Sequence, residues 1–327
     1  MIKILFLCGQ DYVQHKMSRV RFHYIEAISK ETRIKQVIYW GKDYKDYDSS
    51  KTVQCNLDSK KLEPDVIVAY KPDEYKDFIE TKAKRILVYN EMHPMDRIML
   101  EITHAGPHLV VCHHHNEMLR FQHALRSVRF VNIPHCSDTR YFKDYQLPKK
   151  YDVLLIGRLS SEHYPLRTRM HRLLQKEGAK YNLKVHLHQH PGYNLADAED
   201  NRHVTQYAKL ISRSRIAVFC SGVPKTRFSK YTEVPLCGTA IAADIPDDCP
   251  QEFSKFVISL DMAMTDRQIM EKLLYYIQRP NELAEITKRG QVFAQQWTTK
   301  EYAKLFVNNV ASIVDIKPIE PAVVMKK

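Results

Sequence analysis

Apolar residues run along this chain in short unbroken blocks separated by amphipathic stretches. The blocks "IKILFLC", "IKQVIYW", "PDVIVAY", "KRILVYN", "HLVVCHH" and "VRFVNIP" follow one another through the first half. Each is too short for a buried helix, and a continuous apolar run of that length predicts a strand covered on both faces. Between them, "SRVRFHYIEAISKE" places Val20, Tyr24, Ile25 and Ile28 on one helical stripe, and "EMLRFQHALR" reads as a further helix. Strands alternating with helices predict a parallel, doubly wound α/β sheet. The polar, proline-bearing "KDYQLPKK" at 143–150 then interrupts the pattern, which restarts with "YDVLLIGR", "LRTRMHRLLQKEG", "LKVHLHQ", "VTQYAKLISRS" and "RIAVFCS". "TAIAADI", "KFVISL" and "DRQIMEKLLYYIQR" continue it. The expected organisation is a Rossmann-like domain over 1–146 and a second over 147–300, facing each other across a cleft. Residues 301–327 form a final helix and tail expected to pack back toward the first domain.

One stretch of the second half raises a question of chemistry. In "SKYTEVPLCGTAIAADIP" (229–246) a helix reads from Ser229 to Leu236 and stops at Gly238, a glycine suited to a helix C-terminus, before a buried strand begins. Glu233 then lies on a helix near the carboxyl end of the preceding strand, where α/β folds collect ligands.

Composition narrows the function classes. At 327 residues the chain has room for about two domains of the usual ~100–200 residues. Hydrophobic residues make up 44%, enough for packed cores. The apolar start "MIKILFLCGQ" breaks at Gly9 and reads as a strand rather than a secretion signal. No run approaches the ~18 apolar residues of a membrane span, so the expectation is a soluble, cytoplasmic protein, with peripheral membrane contact left open. The seven cysteines lack CxxC spacing, and Cys8, Cys112 and Cys220 sit in strand contexts, which points to reduced core thiols. A formal charge of +12 favours anionic partners of any kind: nucleic acid, membrane or phosphorylated small molecules. The basic residues are dispersed, without a nucleic-acid-binding motif, so no nucleic-acid partner is expected.

Four passages, in order, resemble nucleotide-sugar glycosyltransferases of the GT-B fold. "NIPHCSDTRYF" (132–142) resembles the passage closing their first domain, and "YDVLLIGRL" the strand and Gly-Arg step opening their donor domain. "RIAVFCSGVP" followed by "RFSKYTEVPLCGTAIAADIP" resembles the donor segment ending in Glu-x-x-x-Cys-Gly-Thr, and "GQVFAQQWTTKEYAKLFV" the C-terminal passage. With "YPLR" after the Gly-Arg strand, the nearest branch is the spore-maturation-protein-like glycosyltransferases, of the group 1 type. The resemblance implies transfer of a sugar from a UDP- or GDP-sugar to a hydroxyl of a glycan or glycoside. It implies no bound metal and no cofactor beyond the nucleotide-sugar co-substrate. A nucleotide-sugar epimerase of the same fold, and a basic module binding nucleic acid or anionic surfaces, are the alternatives.

The resemblance also assigns roles. Glu233 accepts hydrogen bonds from the ribose hydroxyls, a task suited to the two oxygens of a carboxylate. Arg158, Lys225, Arg227 and Lys230 are the cations for the diphosphate, with Arg167 and Arg169 as weaker candidates and Tyr231 beside them on the helix. His190 and Gly192 lie in the loop near the base or phosphates. His93 reaches toward the donor sugar, while Asp11, His15 and Glu91 are the candidate bases for the acceptor hydroxyl. Lys225 stands where retaining members of the family often carry a second glutamate, a departure that leaves the stereochemical course open. Three patterns suggest metal without carrying it, the first being "HHH" at 113–115. The histidines of "HLHQH" (186–190) would share one strand face, but they sit on a donor-domain strand, and "DYD" (46–48) lies in a polar loop.

Overall fold

The computed structural model describes residues 1–9, 19–190 and 202–314. In the first domain the described elements are β1 (Ile2–Leu7), α1 (Arg19–Ile28), β2 (Ile34–Trp40), α2 (Val53–Lys60), β3 (Val66–Ala69), β4 (Lys84–Tyr89), α3 (Met95–Ala105), β5 (Leu109–Cys112), α4 (His115–Ala124) and β6 (Phe130–Asn132). They form a parallel sheet in the order β2-β1-β3-β4-β5-β6. In the second, β7 (Tyr151–Leu155), α5 (Pro165–Glu177), β8 (Val185–Leu187), α6 (Arg202–Ser212) and β9 (Ser214–Val218) come first. They are followed by α7 (Lys230–Leu236), β10 (Ala240–Ala243), α8 (Pro250–Phe253), β11 (Val257–Ser259), α9 (Asp266–Ile277) and α10 (Pro280–Gln295). That sheet is parallel in the order β11-β10-β9-β7-β8. The last described element, α11 (Thr299–Ile313), follows directly.

The inner strands are covered on both faces, as their continuous apolar runs require, while the edge strands β2 and β8 are not. In β1, Ile4 and Phe6 enter one core and Leu5 and Leu7 the other. The first of these cores is completed by α11, whose Tyr302, Ala303, Phe306, Val307 and Val310 recur at helical spacing and are buried against the first sheet. Helices α2, α3, α8 and α10 lie where the hydrophobic pattern predicts none. Helix α10, for example, buries only Leu283, Gly290, Phe293 and Ala294.

Each sheet reverses its strand order once, between β1 and β3 and between β7 and β9. Ligands in such sheets bind beyond the carboxyl ends of the strands at that reversal. In the second domain this point is occupied by the Gly157-Arg158 step after β7 and the loop 219–229 after β9.

The chain crosses between the domains twice, and the crossings touch. Ser137, before β7, bridges to Thr298, before α11: Ser137 N donates to the Trp297 carbonyl at 3.0 Å and Thr299 N to the Ser137 carbonyl at 3.1 Å. The Ser137 hydroxyl also meets the Thr232 hydroxyl of α7 at 2.6 Å.

Candidate active site

On the second domain the site is built around a buried guanidinium. Arg167, on the first turns of α5, donates from its Nη atoms to the carbonyls of Arg158 (2.8 Å) and Cys220 (3.0 Å), and lies over the Tyr164 ring at 4.2 Å. Its Nε has no hydrogen-bond partner, and among the described residues no carboxylate pairs with it. The local sequence makes room for it. Gly157 has φ +102°, and a Cβ there would stand 2.7 Å from the Arg167 Nη1, so the Gly-Arg step is what lets the guanidinium lie beneath the loop.

Other cations gather at this end of the sheet. Arg158 is exposed, and Lys230 at the start of α7 is half-buried. His190, half-buried after β8, is held below the usual imidazole range by burial and by the charges of Lys230, Arg158 and Arg167. Burial likewise lowers the Lys230 ammonium, while Glu233 pulls it back up. Glu233 is buried on α7, the helix expected over Ser229–Leu236. Burial pushes its carboxyl above the ordinary range, against Lys230 and a hydrogen bond from Ser229. Gly238, just past the helix, has φ +69°, and a Cβ there would meet the Asp144 carboxylate at 2.6 Å.

Four of the expected cation and helix contacts have other employment. Tyr231 is fully buried, and its hydroxyl donates to the Asp244 carbonyl at 2.6 Å, so it packs the domain rather than meeting a ligand. Lys225, at φ +54°, gives its ammonium to the buried Asp244 carboxylate at 3.0 Å, which also accepts from Ser221 N and Oγ. Arg227 is buried within a cage of aromatic rings, with Trp297, Phe293 and Phe253 at 4.3, 5.1 and 5.5 Å. Arg169 is tied to Asp266 and the carbonyls of Met262 and Met264. Asp11, His15 and Gly192 lie outside the described residues.

The facing wall comes from the first domain. The Nδ1 of His93 lies 2.7 Å from a Glu117 carboxylate oxygen, and its Nε2 lies 3.8 Å from Glu91. Glu117 starts α4 and also accepts the Met92 backbone N–H at 3.0 Å. Burial pushes its carboxyl up, while His93 and Met92 pull it down. A carboxylate on one imidazole nitrogen fixes the tautomer and leaves the other nitrogen to accept a proton. Glu117 was not legible as part of the site, since it reads as an ordinary acidic residue in a helix's first turn.

His93 stands where two cavities meet. One, of about 410 Å³, is lined by Glu91 and His93 from the first domain and by Glu162, His163, Tyr164 and Phe228 from the second. The other, of about 230 Å³, lies between the start of α4 and the segments 223–227 and 247–248. His93, Val223, Pro224 and Thr226 line both. Of the "HLHQH" histidines, His186 lies against the Tyr151 ring, and His188 lies between His186 and Tyr207.

Residues 167–308 match the family model described as "Glycosyl transferase-like". No curated protein matches the chain in sequence. Among solved structures, sucrose-phosphate synthase from Thermosynechococcus elongatus superposes with a TM-score of 0.66 at 10% identity, over 96% of this chain and 100% of that one. HepE from Anabaena, in complex with UDP-glucose, superposes with a TM-score of 0.66 at 12% identity, over 95% of this chain and 100% of that one. An α-glucosyltransferase bound to UDP-glucose and DNA containing an abasic site gives a TM-score of 0.64 at 11% identity, over 95% and 99%. The two facing parallel sheets and these superpositions lead to one conclusion: the chain has the GT-B fold, and residues 167–308 of its second half are similar to the glycosyl transferase-like family.

Proposed function

We propose that this enzyme moves a sugar from a UDP-sugar held by the second domain to a hydroxyl of a glycan or glycoside held against the first, without a metal ion. The observation that carries this reading is the buried Glu233 beside Lys230, with Arg167, Arg158 and His190 grouped at the same end of the sheet. A nucleoside diphosphate needs both kinds of group. The ribose diol donates two hydrogen bonds to a carboxylate, and the departing diphosphate gains negative charge that cations must offset. Arg167 suits the second task because two carbonyl oxygens and the Tyr164 ring hold it in place, and among the described residues no carboxylate pairs with its charge. UDP is favoured because solved proteins of this fold are described with UDP or UDP-glucose.

In this scheme His93, oriented by Glu117, takes the proton of the acceptor hydroxyl as its oxygen attacks the anomeric carbon. The bond from that carbon to the diphosphate breaks, and the electron pair leaves on UDP.

Thermal unfolding in the presence of UDP, GDP and their sugars tests the reading. UDP should raise the melting temperature with concentration, and Glu233→Ala should remove most of that rise. A folded protein that ignores every nucleotide yet shifts DNA in a salt-sensitive manner would replace this function with anion binding.

A further inference from the structure

The second domain has another cationic end, opposite the one that carries Glu233. Its strands are parallel, so their amino ends share one side of the sheet. Their carboxyl ends, with Arg158 and the loop 219–229, share the other. Exposed cations stand at three of the amino ends: Lys150 before β7, Lys184 before β8, and Arg213 and Arg215 about the start of β9. Hydrogen bonds join these strand starts. Lys150 N and Tyr151 N donate to the Arg213 carbonyl at 2.7 and 3.2 Å, and Asp152 N to the Lys184 carbonyl at 2.9 Å. The linker adds Lys143 and the last turn of α6 adds Lys209, and both ammoniums lie over the Tyr145 ring, at 5.5 and 5.6 Å. Lys150 lies over the Tyr151 ring at 5.4 Å.

Cations at this end have an ordinary use, and its size can be weighed. Helices α5 and α6 both finish here, and each helix terminus presents about −0.5 of a charge. Asp144 accepts from Gln146 N and Ser212 Oγ, and Asp152 accepts from Lys184 N and lies 3.5 Å from Arg215. These two carboxylates and two helix ends together supply about −3. Lys149 is spent on the carbonyls of Ser212 and Gly238, and Lys180 is paired with Glu177. Lys143, Lys150, Lys184, Lys209, Arg213 and Arg215 remain, all exposed, and about half of their charge is left uncompensated.

We propose that this end of the second domain is a docking surface for an anionic lipid bilayer. The arrangement of charge selects that partner. The cations stand side by side on strand starts, a linker and a helix end, so they match an extended sheet of negative charge rather than one bound anion. A single-stranded nucleic acid would stack its bases on open rings, whereas Tyr145 and Tyr151 are half-buried and already carry ammoniums on their faces. Lysine beside tyrosine suits the headgroup layer, where the ammonium meets lipid phosphate and the ring lies at headgroup level. Docked in this way, the molecule turns the carboxyl ends of the second sheet away from the bilayer, and the cleft with Glu233 and His93 stays open.

Co-sedimentation of the full chain with vesicles tests this. Vesicles of equal parts phosphatidylcholine and phosphatidylglycerol should bind it, vesicles of phosphatidylcholine alone should not, and binding should fall steeply as salt rises. Each cation removed from such a contact weakens binding about fivefold, so Lys150→Gln with Lys184→Gln should weaken it about 25-fold. Lys35→Gln with Lys45→Gln, at exposed positions of the first domain, removes the same charge and should weaken it less than about threefold. Saturating UDP should leave vesicle binding unchanged, because the nucleotide site lies at the other ends of the strands. The proposal is overturned if anionic vesicles do not bind, if the two double variants weaken binding equally, or if UDP displaces the vesicles. A single-stranded oligonucleotide that binds through Lys150 and Lys184 while anionic vesicles do not would also overturn it, and would make the partner a nucleic acid.

Discussion

The two walls of the cleft handle charge in opposite ways. On the second domain, positive groups are fixed by backbone and core: Arg167 by two carbonyls and a tyrosine ring, Lys225 by Asp244. On the first, the prominent groups are His93 with Glu117 and Glu91, an imidazole set beside two carboxylates. One wall is suited to stabilising a charge that appears during reaction, the other to moving a proton. The difference predicts that substitutions on the two walls separate binding from turnover.

The largest effect should come from the proton-moving wall. His93→Ala should lower turnover by about 10²–10⁴-fold with UDP affinity nearly unchanged, as steady-state kinetics beside a UDP titration would reveal. Near-normal turnover in that variant would move the base elsewhere, with Asp11 and His15 next to be tested. On the other wall, Glu233→Ala should weaken UDP binding by roughly 1.5–3 kcal/mol, the range for hydrogen bonds to a charged group. If calorimetry finds UDP affinity intact in the folded variant, the ribose role is lost. Glu117→Gln should reduce turnover about tenfold, corresponding to one charge-assisted hydrogen bond, and should move the acid limb of the pH–rate profile. A drop in rate with an unmoved profile would leave Glu117 a packing role only. The smallest effect on turnover accompanies an effect on stability. The folded pKa of His114, about 3, lies below its ordinary 6.5. Between those values the unfolded chain binds a proton that the folded one does not, so stability is lost as pH falls from 6.5 toward 3. From pH 6.5 to 5 the loss should be roughly 2 kcal/mol, and His114→Gln should flatten it in denaturant titrations at the two pH values.

The strands were readable because burial on both faces writes itself as an unbroken apolar run, as in β1, β5 and β9. Helix α7 was readable because Gly238 marks its end. Helix α3 escaped because it follows His93-Pro94 in a stretch that reads as a loop, although Ile98, Ile102 and Ala105 share its buried side. Within the site, Glu233 and the Gly157-Arg158 step follow from local sequence and the resemblance. The aromatic cage of Arg227 does not, because Phe293 and Trp297 arrive from the far end of α10, more than sixty positions along. Tyr231 failed for the converse reason: neighbours on a short helix point in different directions, and its side chain turns into the core while that of Glu233 lies beside Lys230. The pairing of His93 with Glu117 depends on contact between the end of β4 and the start of α4, which spacing alone does not encode.

The packing of α11 has a consequence for how the molecule can be divided. That helix comes last in the chain but completes the core of the first sheet, lying over Ile4, Phe6 and Val68. A fragment cut at the linker would therefore keep all six strands of the first sheet yet leave one side of it covered only in part, by α1. The second half, made alone, would carry an apolar helix with nothing to cover. The two crossings, clasped at Ser137 and Thr298, also act as paired fastenings along one line. Two crossings joined in this way tie the halves together more closely than a single tether would.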